Sequence, residues 1–197
     1  MLNPKVHALR ADVVAKFSAA WELNDEAHRC NHFVNVEACA LEIDQRLGLN
    51  QNPQLILMAA YFHDMFAWSR VNHHLLSAEW VKSTDYEHIV ALSNEDRALL
   101  SHACREHRAS FKGQFTSLFS ELMNAADREL PGQIEDMLER AIQYRAARGM
   151  TRDEALAPAI AHIKEKFGTG GYARYPRLYL DAFGDALEVQ RKEIDNL

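Results

Sequence analysis

The chain has 197 residues, 48% of them hydrophobic, which is enough to bury one substantial core and short for two. With 22 Lys and Arg against 28 Asp and Glu the formal charge is −6, so the surface repels the phosphates of a long nucleic acid, and no polymeric nucleic acid is an expected partner. The opening MLNPKVHALR holds no apolar signal core, and the longest apolar run, residues 55–62, falls far short of the roughly 20 residues a bilayer crossing needs, so a cytoplasmic location with no membrane contact is expected.

Helix formers dominate, only 8 Gly and 5 Pro interrupt them, and no segment alternates apolar and polar residues long enough for a half-buried strand. The expectation is an all-α single domain. A first amphipathic helix is predicted over residues 5–23, with Val6, Leu9, Val13, Phe17 and Trp21 on one stripe, broken by Asn24 and Asp25. A second is predicted over 26–47, carrying Phe33, Val36, Ala40, Ile43 and Leu47 at helical spacing and ended by Gly48. That register places His28, His32 and Val36 on one face. Pro53 suits the first turn of a third helix, whose residues Leu55 to Phe62 are apolar nearly all round. Such a helix belongs at the centre of the fold, and it delivers His63 and Asp64 at its far end. Further helices are predicted over residues 74–83, 94–108, 117–129, 133–148, 153–167 and 174–194.

Cys30, Cys39 and Cys104 form no C-x-x-C pair and are odd in number, which favours reduced, buried thiols. The histidines carry more information. There are 10, and all but His7 and His162 lie between His28 and His107. One His-Asp dipeptide is weak evidence, since roughly 0.6 are expected by chance in this composition. Its setting is stronger: a central helix ends in His63-Asp64, His32 precedes it on another helix, and Asp127 follows on a later one. Ligands from separate packed helices converge in bundle cores, and two imidazoles with two carboxylates suit Mn, Fe, Co, Ni or Zn, with Mg also admissible, better than Ca. A metal held there would polarise a phosphate and lower the pKa of water.

Arg29-x-x-His32-x-x-x-Val36, then Ala59-Ala60-Tyr61-Phe62-His63-Asp64, then Ala125-Ala126-Asp127-Arg128 together resemble the H…HD…D signature of the HD-domain superfamily of metal-dependent phosphohydrolases. The resemblance covers residues 26–130, just over half the chain, with residues 131–197 as an added helical extension. It implies an all-helical HD-domain bundle in which His32, His63, Asp64 and Asp127 bind one divalent transition metal, with Asp64 also able to accept a proton. Asn72-His73-His74 and His102-x-x-x-x-His107 look like the extra histidine positions of some branches, which makes His73, His74, His102 and His107 candidates for a second metal or for substrate. Among these, His73 and His102 are the catalytic candidates. Small nucleotide-hydrolysing members often carry an acidic residue soon after the HD pair, whereas Met65 to Arg70 contains none. Either a histidine replaces it or another mechanism applies.

Arg105, Arg108 and Lys112 stand against Glu106 alone, a local excess of positive charge that fits a phosphate-binding rim or a solvated helix face. With Arg29, His74, His107 and Arg128 they complete the substrate-binding candidates. Asp25-Glu26-Ala27-His28 spells a helicase box, but no phosphate loop exists, and His102 to His107 is one residue too long for H-x-x-E-H. The leading expectation is cleavage of a phosphoester or phosphoanhydride bond in a small nucleotide. The alternatives are a cyclic or linear dinucleotide phosphodiesterase, which would use a second metal, and a helical module that binds a nucleotide without turnover, its C-terminal helices serving homo-oligomerisation.

Overall fold

A computed structural model describes residues 4–25 and 30–197. Its helices are α1 (Pro4–Trp21), α2 (Cys30–Leu47), α3 (Pro53–Phe62), α4 (His73–Ser83), α5 (Glu87–Val90), α6 (Asn94–Glu106), α7 (Leu118–Ala126), α8 (Ile134–Ala146), α9 (Arg152–Phe167) and α10 (Arg177–Asp195). No strand occurs among the described residues. The protein is all-α, as its composition predicts. The chain forms two compact units, residues 1–129 with 176–179, and residues 130–175 with 180–197. None of the described helices is long and apolar enough to cross a membrane.

In the first unit α3 is the axis. It packs against α1, α2, α6 and α7, and every residue from Leu55 to Phe62 is buried, so its all-round apolar character is matched by all-round burial. Asn52 caps it by accepting from the Gln54 amide at 3.0 Å, and Pro53 occupies the first turn, where a missing N–H costs nothing. Around its near side Phe17 packs edge-on against Phe62, Trp80 and Tyr86, while Trp21 and Phe33 meet at 5.0 Å. Gly48 ends α2 as predicted, in the left-handed conformation at φ 61°, and the Leu49 amide closes back on the Asp44 carbonyl at 3.1 Å. Enclosure on all sides leaves the C-terminal end of α3 one place to point, and that place is where His63 and Asp64 stand.

A two-pronged ion pair ties α1 to α2: Arg10 donates to both oxygens of the buried Glu37, at 3.0 and 2.7 Å. Replacing Arg10 with Ala leaves that carboxylate buried without its counter-charge. Because Arg10 retains 28% side-chain exposure, the expected loss is about 2 kcal/mol, below the range for a fully enclosed pair, and urea unfolding with an unchanged m-value would measure it.

Several boundaries depart from the sequence expectation for local reasons. α4 begins at His73 rather than at residue 74, and the short α5 carries too few residues to leave a periodic signal. α7 stops at Ala126, because Glu129 adopts φ 58° and cannot continue a helix. α10 begins after Pro176 rather than at residue 174, since the residue before a proline is steered out of the helical region. In the second unit α8 packs on α9, whose start is fixed by a reciprocal cap between Thr151 and Glu154.

Candidate metal centre

Helix ends explain the orientation of the histidines. The last four carbonyls of a helix have no partner within it. His63 and His107 occupy the C-cap positions of α3 and α6, and each ring donates its Nδ1–H to the carbonyl three residues back, Ala60 at 2.9 Å and Cys104 at 2.7 Å. His73, the first residue of α4, does the same toward a carbonyl of the preceding turn, that of Arg70 at 3.1 Å. His32, in the first turn of α2, instead places Nδ1 2.8 Å from a carboxylate oxygen of Glu129. Each ring thereby engages Nδ1 outward and turns Nε2 inward, the orientation a metal requires.

Those Nε2 atoms meet two carboxylates. His32 Nε2 lies 3.3 Å from His63 Nε2, 3.3 Å from Asp127 Oδ1 and 3.8 Å from Asp64 Oδ2. His63 Nε2 lies 3.5 Å from each of the same two oxygens. These four donors all fall within 4.8 Å of one another. The other oxygen of Asp64 faces a second group: Oδ1 is 3.3 Å from His73 Nε2 and 3.2 Å from His107 Nε2, and those two nitrogens are 3.3 Å apart. Asp64 is therefore shared, one oxygen to each group. Mixed nitrogen and oxygen donors on buried, pre-oriented side chains fit a borderline divalent cation, singly or as a carboxylate-bridged pair.

The electrostatics fit a cation too. Burial alone would raise the Asp64 carboxyl, but His63 and His107 outweigh it and hold the group well below the usual carboxylate range. Asp127 is likewise pulled down by His32 and His63 against its burial. Burial would push the His32 imidazole down, yet Asp127 and Glu129 drive it up to about 10. His107 is raised by Asp64 against its burial, whereas His73, for which burial dominates, is pushed down to about 4. A proton on His32 stands where a metal's charge would go.

The remaining candidates divide by geometry. His73 and His74 are neighbours, so their side chains diverge by about 100° along a helix, and His73 is the one directed at Asp64. His74 lies 3.5 Å from an Arg108 nitrogen, and burial with the Arg108 and Arg105 charges lowers its pKa. His107 follows His102 by five positions, about 140° of helical turn, and His102 pairs with the Thr116 hydroxyl at 2.8 Å instead of joining either group. Arg128 binds the outer oxygen of Asp127 at 3.3 Å and the Asn124 side chain at 3.1 Å. Arg105 and Lys112 are exposed, and Arg29 lies outside the described residues. Cys39 and Cys104 are buried free thiols, while Cys30 is partly exposed.

Sequence reasoning missed two supporting residues. Asn24, taken as a helix breaker, is buried and bridges the Asp64 carbonyl at 3.0 Å and the Trp68 amide at 3.0 Å, fixing the backbone on which Asp64 stands. Glu129, the partner of His32, carries no recognisable spacing signal, because it lies beyond the end of α7 in a conformation that sequence periodicity does not report.

No protein-family model and no curated protein matches the chain. A crystal structure described as that of a predicted HD superfamily hydrolase from an uncultured Thermotogales bacterium does: it shares 21% identity and a TM-score of 0.52, over 98% of this chain and 93% of that one. The chain has the HD-domain fold. His32, the His63-Asp64 pair and Asp127, on which the sequence resemblance rests, come together although they are scattered over almost 100 positions of sequence. In this chain His73 and His107 also stand against the same aspartate.

Proposed function

We propose that this HD-fold chain is a metal-dependent phosphohydrolase that cleaves a phosphoester or phosphoanhydride bond in a small nucleotide. The observation that carries the proposal is the set of four imidazoles, each with Nδ1 engaged, that turn Nε2 toward the two oxygens of Asp64. A divalent metal bound there would supply Lewis acidity to a phosphoryl group and acidify water. The protein's own part is to hold the donors rigid, to keep Asp64 and Asp127 ionised, and to offset phosphate charge. Arg128 beside Asp127 and Arg108 beside His74 are the cations suited to the last task.

A second reading, hydrolysis of a cyclic or linear dinucleotide at its phosphodiester bond, is favoured by the Asp64–His73–His107 group, since paired metals clamp both the attacking and the leaving oxygen. The Mn- or Co-loaded protein should be assayed against nucleoside mono-, di- and triphosphates and against dinucleotides, with both products identified. Turnover of at least one class, abolished by chelator, is expected. A fully metal-loaded protein that turns over none of them contradicts the proposal.

The basic rim gives a separate expectation. Replacing Arg108 with Ala removes a charge-assisted hydrogen bond to substrate, worth roughly 1.5–3 kcal/mol or about 10- to 150-fold in kcat/KM, while leaving bound metal unchanged. The loss should grow with the number of phosphates on the substrate, and a uniform change below about twofold would assign Arg108 to its hydrogen bond with the Val71 carbonyl alone.

A further inference from the structure

His63, His73 and His107 are oriented by carbonyls of their own local segment, three residues back in each case. His32 is the exception, because its Nδ1 relies on a carboxylate 97 residues away. That carboxylate belongs to Glu129, which is buried and sits at φ 58°, a region that side chains other than Gly, Asn and Asp seldom occupy. Its carbonyl is held by the Tyr179 hydroxyl, which donates to it at 3.1 Å from the first turn of α10. A glycine would fit this backbone without strain, yet the sequence places a glutamate there. Non-glycine residues in such conformations persist where the side chain is needed, and here the side chain reaches the outer nitrogen of a candidate ligand.

We infer that Glu129 is a positioning residue: its carboxylate accepts the Nδ1–H of His32, selects the tautomer that presents Nε2, and so sets the metal affinity of the His32–His63–Asp64–Asp127 group. The inference rests on the metal-binding reading above and extends it to a residue that touches no metal. The second group, Asp64 with His73 and His107, makes no use of Glu129.

The test is calorimetric titration of the full chain with Mn²⁺, together with Glu129→Gln, Glu129→Ala, Glu129→Gly and, as reference, His32→Ala. The equivalent that His32→Ala removes should bind about 10- to 100-fold more weakly in Glu129→Ala and Glu129→Gly, the usual consequence of losing a partner that orients a metal-bound histidine. Glu129→Gln, whose amide oxygen still accepts the Nδ1–H, should recover most of the loss. Glu129→Gly relieves the backbone, so its metal-free melting temperature should equal or exceed that of Glu129→Ala, which separates positioning from folding. Wild-type affinity, within twofold, in the Ala and Gly variants overturns the inference while leaving the metal centre standing. A wild-type chain that takes up no Mn²⁺ overturns the metal centre and the inference together.

Discussion

Replacing Asp64 with Ala is expected to remove bound metal and hydrolysis together, with kcat/KM falling on the order of 10³-fold or more, because several kcal/mol of transition-state stabilisation are assigned to the centre this residue bridges. The argument rests on the two oxygens. Oδ2 faces His32 and His63, Oδ1 faces His73 and His107, and no other carboxylate touches both groups among the described residues. Loss of Asp127 should be milder, since it serves only the first group. Asp64→Asn keeps the shape and removes the charge, so a circular dichroism spectrum like that of the wild type, with metal content near zero, would show that charge and not packing is at stake. An Asp64→Ala protein with full metal content and activity would end the assignment.

Metal binding should also raise the melting temperature by about 10 °C at a concentration near 1,000 times Kd, where mass action contributes about 4.1 kcal/mol and a chain of this size gains roughly 2–4 °C per kcal/mol. The size of the shift depends on pH with a definite sign. In the metal-free protein His32 is held up to about 10, above its unfolded value, so its contribution to stability is complete below the unfolded pKa near 6.5 and is lost as pH rises through about 10. His73, lowered to about 4 by burial, works in the opposite direction: its contribution is present above about 6.5 and is lost as pH falls through about 4. Metal requires both rings neutral and releases the His32 proton. The metal-induced shift should therefore grow from pH 6 to pH 9 while the metal-free melting temperature declines. Differential scanning calorimetry at four pH values would check both trends, and a shift independent of pH would contradict protonation of His32 in the metal-free state.

Much of this centre could be read from sequence, and the part that could not has a physical reason. The run from Leu55 to Phe62 is apolar on every side, so its central place and the delivery of His63-Asp64 at its end follow from burial alone. His32 and Asp127 needed the ordered motif, because residues brought together by tertiary packing leave no local signature. Which of the extra histidines reach the site was not legible, because choosing between His73 and His74, or between His102 and His107, depends on helix rotation, and one residue turns a side chain by about 100°. Glu129 and Asn24 act from outside the helices, through a left-handed backbone and a buried amide, and neither follows a periodic pattern. The fold class follows from composition, whereas the outer partners of the ligands are properties of backbone conformation.

The most direct measurement of the central claim is metal content by mass spectrometry after saturation with Mn²⁺ or Co²⁺ and exhaustive dialysis. The donor groups that share Asp64 predict one or two equivalents per chain in the wild type, loss of the second of two in His107→Ala, and loss of all bound metal in Asp64→Asn. A wild-type chain that retains no metal, or an Asp64→Asn chain that retains as much as the wild type, would contradict it.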